Sequence, residues 1–192
     1  KKLLATLDEY DVLHRVLNVP TVKELNEITR QGKIKDYILL DEALHEKKIA
    51  NIADQILKAN KTRGTKVVLL SGPSSSGKTT TSKRIGIQLR ILGLDPVLIS
   101  LDDYFVNREN TPRDESGDYD YEALEAIDLK LLNSDLERLI AGESVDVPRY
   151  NFITGTRQWH ETPLKLTERS ILIMEGIHGL NPRLTPSIPR EQ

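Results

Sequence analysis

Residues 66–80 read KVVLLSGPSSSGKTT, and this stretch decides the fold class. Its apolar start, over residues 66–70, predicts a short strand of the kind that is buried in a parallel sheet. The turn that follows matches the pattern G-x-x-x-x-G-K-[ST], in which glycines let backbone N–H groups surround phosphate oxygens at the positive end of a helix. The stretch therefore predicts a strand, a phosphate-binding loop and a helix. The four positions that define the loop are Gly72, Gly77, Lys78 and Thr79.

Predicted helices and strands alternate through the rest of this region. Helices are expected from about Lys78 to Leu92 and from about Glu122 to Ala141, each closed by a glycine. Apolar runs at residues 96–101 and 170–174 predict two more buried strands. Strands that alternate with helices form a parallel sheet with helices on both faces. We therefore expect an α/β fold with a P-loop NTPase-type parallel sheet and flanking helices, preceded by a small helical segment.

The first 62 residues predict that helical segment. Thr21 and Glu24 have the form of a capping box, so a short helix is expected from there to about Gly32. A further helix is expected from Asp41 to Ala59, and the glycine-ended polar stretch 60–64 predicts a connection. A first helix is expected from an apolar stripe that comprises Leu3, Leu4, Leu7, Val12, Leu13, Val16 and Leu17. The buried positions expected in the last helix are Ala43, Ile49, Ile52, Ala53 and Ile56. The predicted division is a helical leader over 1–62 and a P-loop kinase domain over 63–192.

Composition excludes several classes of protein. Of 192 residues, 38% are hydrophobic and 29% charged, which is typical of a folded globular domain. A net charge of −2 offers no electrostatic attraction to nucleic acid. No apolar run approaches the roughly 20 residues that span a bilayer, so no membrane association is expected. Cysteine is absent, which excludes disulfides and thiolate metal sites and fits a cytoplasmic location.

The loop itself implies ATP and Mg²⁺. Lys78 can reach the β- and γ-phosphates of the nucleotide, which makes it a predicted catalytic residue, and the Thr79 hydroxyl can bind Mg²⁺. The predicted ATP-binding residues are Gly72, Pro73, Ser74, Ser75, Ser76, Gly77, Lys78, Thr79 and Thr80.

Two carboxylates follow the other predicted strands. Ligands collect at the carboxyl ends of parallel strands, so Asp102 is expected near the γ-phosphate, where it can act as a base or help hold Mg²⁺. An aspartate in a turn is the alternative reading. Glu175 ends the third strand as an acid that holds Mg²⁺ directly or through water. None of the four histidines is assigned a role.

In order along the chain, the motifs GPSSSGKTT, SLDDYF, DYDYEALEAID, VDVPRYNFITGTR and ILIMEGIHGL resemble the uridine kinase and phosphoribulokinase family. The resemblance covers about residues 66–180. It implies transfer of the γ-phosphate of ATP to a sugar hydroxyl of a small molecule, with a nucleoside such as uridine or cytidine as the leading acceptor. It further implies that Asp102 is the base on the 5′-hydroxyl, that Asp120 lies near the ribose hydroxyls, and that Tyr150 and Arg157 line the substrate pocket. A homo-oligomer remains open.

Two departures from that family bear on the acceptor. Uridine–cytidine kinases usually carry a pyrimidine-reading histidine where this chain has Gly155, and the stretch from Asp120 to Asp128 is longer than usual. Acceptors like those of phosphoribulokinase or pantothenate kinase stay open, as does a nucleotide-binding regulatory module. A GTPase switch is disfavoured because neither N-K-x-D nor a D-x-x-G after the third strand is present.

The sequence also reads as a piece of a longer polypeptide. Its only methionine is Met174. TVKELNE and EALHEKKIANIADQI resemble the segment that joins a threonyl-tRNA-synthetase-like region to such a kinase. In the family, a further strand and an arginine-rich lid follow residues 171–180. The stretch 181–192 supplies only Arg183 and Arg190 as cations, so this piece is expected to keep the phosphate loop and to be impaired in transfer.

Overall fold

A computed structural model describes residues 16–189, which fall into two units that divide between Ala50 and Asn51. Most of the predicted stripe of the first helix, at residues 3–13, lies outside the described residues, as does Arg190. The predicted domain boundary at residues 62 and 63 stays a prediction.

Helix α1 comprises Val22–Arg30. Thr21 caps it as expected: its hydroxyl oxygen accepts from the Lys23 N–H at 3.2 Å, and the hydroxyl donates to the Glu24 carboxylate. That hydrogen bond lowers the pKa of Glu24. Gly32 follows in the left-handed region, with φ +72°, so the predicted end of this helix is also right.

Helix α2, Ile34–Arg63, is longer than the predicted span of 41–59. Neither glycine nor proline occurs inside it, so nothing in the backbone stops the helix earlier. Three of the positions expected to be buried are so, namely Ile49, Ala53 and Ile56. Ala43 and Ile52 are exposed, and for these two the prediction was wrong. Ala43 lies about 120° around the helix from Ile49, and Ile52 about 60° to one side.

The second unit carries the sheets. Strand bounds in chain order are β1 Val67–Ser71, β2 Asp95–Ser100, β3 Ser144–Val145, β4 Pro148–Asn151, β5 Thr156–Trp159, β6 Leu164–Lys165 and β7 Ser170–Gly176. Within residues 16–189, the strands β1, β7 and β2 form a parallel sheet in that order. The three strands predicted as buried are therefore the strands of this sheet. The central position of β7 was not predicted.

Helices α3, Lys78–Ile91, and α4, Leu129–Ile140, cover opposite faces of this sheet. On β7, Leu172 and Met174 share a buried cluster with the apolar face of α4. Ile173 and its neighbour Leu98 on β2 alternate to the other face, where Leu98 contacts Gly86 of α3. The predicted α/β architecture, with helices on both faces, is confirmed.

Helix α4 begins later than the predicted start at Glu122. Asp128 is its N-cap, and its carboxylate accepts from the Leu131 N–H at 3.1 Å. A 3₁₀ turn, Leu124–Ala126, occupies part of the preceding segment. The prediction missed this boundary because it did not consider Asp128 as a cap.

Strands β4 and β5 form an antiparallel hairpin that was not predicted, with β3 and β6 as a second antiparallel pair. Residues 151–156 turn the β4–β5 hairpin, and the Gly155 N–H donates to the Asn151 carbonyl at 2.7 Å. The pairing places Tyr150 directly opposite Arg157. Within residues 16–189, no helix combines the length and apolar character needed to cross a bilayer.

Candidate active site

The phosphate-binding loop lies between β1 and α3, as its sequence predicts. Gly77, the N-cap of α3, has φ +82°, and Ser75 also adopts a positive φ, of 60°. A Cβ atom on Gly72 would approach the Ser76 hydroxyl oxygen to 2.7 Å, so a side chain there would displace the Ser76 hydroxyl from its present position. Within the described chain, the N–H groups of Gly77, Lys78 and Thr79 have no protein acceptor. These N–H groups are available to bind an anion.

Lys78 reaches back over this loop. Its ammonium group donates to the Pro73 carbonyl at 2.8 Å. A neutral carbonyl is a weaker partner for an ammonium group than a charged phosphate oxygen. The bond therefore holds the cation beside the loop while leaving it able to exchange partners.

Thr79 and Glu175 connect the loop to the central strand. The Thr79 hydroxyl donates to the Glu175 Oε1 at 2.8 Å. In the register of the sheet, Glu175 pairs with both Leu70 of β1 and Ser100 of β2. Its carboxylate therefore lies between the carboxyl ends of the two neighbouring strands.

Asp102 lies just after the end of β2. It lies in a 3₁₀ turn, Leu101–Tyr104, whose N-cap Ser100 accepts from the Asp102 N–H at 3.4 Å. Within residues 16–189, its half-buried carboxylate accepts no hydrogen bond from the protein. Burial raises the pKa of Asp102, the nearby Glu175 carboxylate raises it further, and the Lys78 ammonium partly opposes both. Asp102, whose carboxylate accepts no hydrogen bond from residues 16–189, therefore interacts electrostatically with both Lys78 and Glu175.

Asp103 has a different environment. Its carboxylate accepts from the Tyr150 N–H at 3.2 Å, which ties the 3₁₀ turn to strand β4. Burial raises the pKa of Asp103, and the Tyr150 N–H opposes that effect. Asp103 is thus engaged in holding the hairpin, whereas Asp102 is available for a ligand.

A close approach sets the distance between β7 and the turn that carries Asp102. A Cβ atom on Gly176 would lie 2.7 Å from the Leu101 Cδ1. Beyond it, the Ser71 hydroxyl donates to the Ile177 carbonyl at 2.9 Å. Glycine at position 176 therefore lets the turn pack directly on the end of β7, beside Glu175.

The predicted substrate residues fall into two groups. Tyr150 and Arg157 lie together on the hairpin. The Arg157 guanidinium donates to the Phe105 carbonyl and to the Asp128 carboxylate, both at 3.0 Å. Asp120 instead accepts from the N–H groups of two residues that follow it, at 2.9 and 3.0 Å. No bond of the described residues connects Asp120 with Tyr150 or Arg157.

Sequence reasoning missed an aromatic cluster beside the hairpin, which comprises Phe105, Tyr121, Tyr150 and Phe152. Phe105 is in contact with the other three rings at centroid distances of 5.4 to 6.2 Å. Arg108 borders the cluster and donates to the Tyr121 hydroxyl at 3.2 Å. The alternation of aromatic residues in the sequence YNF at 150–152 was a signal that could have revealed part of it.

The donors near the loop fit Mg²⁺ held jointly with a nucleotide. Among residues 16–189, no group of three or more acidic or histidine side chains could hold a metal alone. Mg²⁺ typically uses one or two protein oxygens and completes its octahedron with phosphates and water. The Thr79 hydroxyl and Glu175 carboxylate, already 2.8 Å apart, are oxygen donors of this kind.

Comparison with family models gives a match over most of the second unit. The model of the Phosphoribulokinase / Uridine kinase family matches residues 67–183. The matched span begins at β1 and ends beyond β7, so it includes the phosphate-binding loop, the turn with Asp102, and Glu175.

Curated relatives match over part of their length. The uridine kinase of Shewanella sp. (strain ANA-3) is 35% identical over 113 residues, which are 58% of this chain and 52% of that protein. The uridine kinase of Schizosaccharomyces pombe is 37% identical over 121 residues, which are 62% of this chain and 26% of that protein. The chain thus spans about half the length of the first relative and about a quarter of the second.

A solved structure shares the fold. The structure of a possible uridine kinase from Bacillus stearothermophilus superposes with a TM-score of 0.60 at 27% sequence identity. The superposition covers 73% of this chain and 75% of that one.

Proposed function

The chain belongs to the phosphoribulokinase / uridine kinase family, and from this premise we propose that it is an ATP-dependent kinase of a small hydroxyl-bearing metabolite. One observation carries the proposal: the Thr79 hydroxyl donates to the Glu175 carboxylate, beside an Asp102 carboxylate that accepts no hydrogen bond from residues 16–189. A phosphate loop alone is compatible with hydrolysis. A free, partly buried carboxylate at the next strand end adds a base for an incoming hydroxyl.

In this proposal, the loop residues hold ATP. The N–H groups at the start of α3 bind phosphate oxygens, and Lys78 exchanges its carbonyl partner for the β- and γ-phosphates. Thr79 and Glu175 hold Mg²⁺, directly or through water. The metal, when bound, neutralises charge that develops on the phosphates during transfer.

Asp102 activates the acceptor. The hydroxyl oxygen forms a bond to the γ-phosphorus, the bond from that phosphorus to the β–γ bridging oxygen breaks, and ADP leaves. The hydroxyl proton passes to the Asp102 carboxylate. A raised pKa suits this role, because a base works best when its pKa approaches the working pH.

A nucleoside is the acceptor that we infer. The named relatives are uridine kinases, and the aromatic cluster beside Asp103 offers ring surfaces on which a nucleobase can pack. Tyr150 belongs to this cluster, Arg157 orders the hairpin through Asp128, and Asp120 would approach the ribose hydroxyls.

The test combines nucleotide binding with a panel of acceptors. Calorimetric titration of the intact protein with ATP and Mg²⁺ should show binding that Lys78→Ala weakens at least ~10-fold, since it removes a charge-assisted bond to phosphate. ADP release should then depend on an added acceptor, with uridine among the best. As a matched control, the exposed Lys130→Ala should bind like wild type. Unchanged affinity in Lys78→Ala, or ADP release that ignores every acceptor, would refute the proposal.

A further inference from the structure

Arg108 occupies the space that a side chain at position 155 would need. A Cβ atom built on Gly155 would lie 2.7 Å from the Arg108 Nε and 2.8 Å from its Cβ and Cζ. Gly155 also has φ +71°, a conformation that side-chain-bearing residues rarely adopt. Arg108 therefore fills the space that a side chain at position 155 would occupy.

The position of Arg108 is fixed from several sides. Its backbone N–H donates to the Gly155 carbonyl at 2.8 Å, which ties the segment after the Asp102 turn to the hairpin. Its Nε donates to the Tyr121 hydroxyl at 3.2 Å, and its Nη2 donates to the Phe152 carbonyl at 2.5 Å. A guanidinium held in this way is preorganised for recognition.

The Arg108 guanidinium has N–H donors that are not used in the described part of the chain. A guanidinium has five N–H donors; within residues 16–189, Nε and one N–H of Nη2 donate in good geometry, and the Tyr150 hydroxyl also lies close to the group. No carboxylate in that part of the chain lies within 4 Å of Arg108, whereas Arg157 is paired with Asp128 at 3.0 Å. Arg108 is thus a partly exposed cation with unused donors at the edge of the aromatic cluster.

Two buried hydroxyls lie near Arg108. They belong to Thr111 and Tyr150, at 5% and 4% residue exposure; both lie beside the Tyr121 hydroxyl, and neither makes a hydrogen bond of good geometry in the described part of the chain. Buried hydroxyls are normally hydrogen-bonded, so both can accept from or donate to a polar group of a bound ligand. Burial raises the pKa of Tyr121, but the neighbouring Tyr150 hydroxyl and Arg108 guanidinium lower it, and the net shift is downward. These polar groups converge around the Tyr121 hydroxyl.

Apolar surface adjoins the same point. Phe152 is 57% exposed and stands edge-on to Tyr150 at a centroid distance of 5.0 Å. Arg108 donates to the Phe152 carbonyl, so a planar ring that packs on Phe152 lies close to the guanidinium. In the proposed function the 5′-hydroxyl of a nucleoside belongs at Asp102, so the base is the part of the acceptor that is available to Arg108.

We propose that Arg108 reads the acceptor by donating hydrogen bonds to an oxygen at the distal ring edge, and so selects uridine over cytidine. This inference rests on the nucleoside kinase function proposed above. A guanidinium can only donate, so it pairs with the 4-oxo group of uracil and meets the 4-amino group of cytosine donor to donor. A side chain that both donates and accepts would tolerate either base.

The experiment measures kcat/KM for uridine and cytidine with the intact protein at saturating ATP and Mg²⁺. Wild type should favour uridine by at least ~10-fold in kcat/KM. A donor that faces the 4-amino group of cytosine is left unpaired, and discrimination of at least this size is expected from such a mismatch. Arg108→Gln offers both a donor and an acceptor, so the ratio should fall toward one. Arg108→Lys keeps only donors and should retain a preference for uridine. The KM for ATP should stay unchanged in both variants, which separates recognition from a general loss of structure.

Arg113→Gln is the matched control. Arg113 lies over the neighbouring Tyr119 ring, 4.2 Å from its centroid, and is outside the contacts described above. Its ratio should equal that of wild type.

Each outcome decides the inference. An equal or reversed wild-type ratio, or a ratio that Arg108→Gln leaves unchanged, overturns the role of Arg108 and leaves the nucleoside kinase intact. If neither nucleoside is phosphorylated, the proposed nucleoside acceptor fails and the inference fails with it. If Arg108→Gln does not fold, the ratios of wild type and Arg108→Lys still decide.

Discussion

Asp102 and Asp103 are adjacent in sequence and differ in what surrounds their carboxylates. Asp103 accepts a backbone N–H from strand β4, while Asp102 faces Glu175 without a donor of its own among residues 16–189. The sequence DDY alone does not distinguish them, because the distinction depends on a hairpin 47 positions away in the chain. The choice of Asp102 as base came from its position at the strand end and from the family resemblance, and it stays a prediction.

The surroundings of Asp102 predict that it destabilises the nucleotide-free protein at neutral pH. Its folded-state pKa is raised, chiefly by burial and then by Glu175, so folding disfavours the charged form. Asp102→Asn should therefore raise the Tm at pH 7. The gain should shrink as the pH falls, and vanish below the ordinary value of 3.8, where the aspartate is protonated in both states.

Calorimetric scans of wild type and Asp102→Asn between pH 3 and pH 7, without nucleotide, make this measurement. Asp118→Asn, at an exposed position, controls for removal of a surface charge and should change the Tm little. A lower Tm for Asp102→Asn at pH 7 would show that the carboxylate is stabilised by groups not identified above.

At the scale of elements, the strands and the loop were predictable and several boundaries were not. Continuous apolar runs identified β1, β2 and β7, because buried parallel strands have no polar alternation. The start of α4 depends on the Asp128 cap, and β4 and β5 are short strands with mixed side chains. The ion pair of Arg157 with Asp128 joins the hairpin to the N-cap of α4, and residue spacing does not reveal such a contact.

The packing of β7 against the Asp102 turn leads to a prediction about two glycines. Gly176→Ala would place its Cβ 2.7 Å from Leu101, so the turn must shift, with an expected loss of about 1–3 kcal/mol in the free energy of unfolding. Activity should fall as well, because that shift moves Asp102.

Gly86→Ala in α3 is the matched control. Its Cβ would lie 3.5 Å from the nearest atoms, at ordinary contact distance, and alanine favours a helix by roughly 0.5–1 kcal/mol over glycine. Urea unfolding should find this variant as stable as wild type or more so. If Gly176→Ala unfolded at the same urea concentration as Gly86→Ala, the close approach to Leu101 would not be a constraint.

At the scale of the whole molecule, the proposed site is a consequence of strand order. With β7 between β1 and β2, Glu175 pairs across from Leu70 on one side and Ser100 on the other. The loop and the Asp102 turn are therefore delivered to the same carboxylate. The sequence predicted that these residues follow three strand ends, but strand order is fixed by long-range packing and was not predicted. The Asp120 carboxylate, by contrast, accepts only from N–H groups of its own turn in the described residues.

The most direct measurement follows the γ-phosphate itself. The intact protein, given γ-labelled ATP, Mg²⁺ and uridine, should place the label in uridine 5′-monophosphate. Asp102→Asn should still bind ATP while transferring at least ~10²-fold more slowly, the scale of general-base catalysis. Asp103→Asn, which can keep accepting the Tyr150 N–H, should lose much less. Label found only in inorganic phosphate, or full-rate transfer by Asp102→Asn beside an inactive Asp103→Asn, would contradict the account.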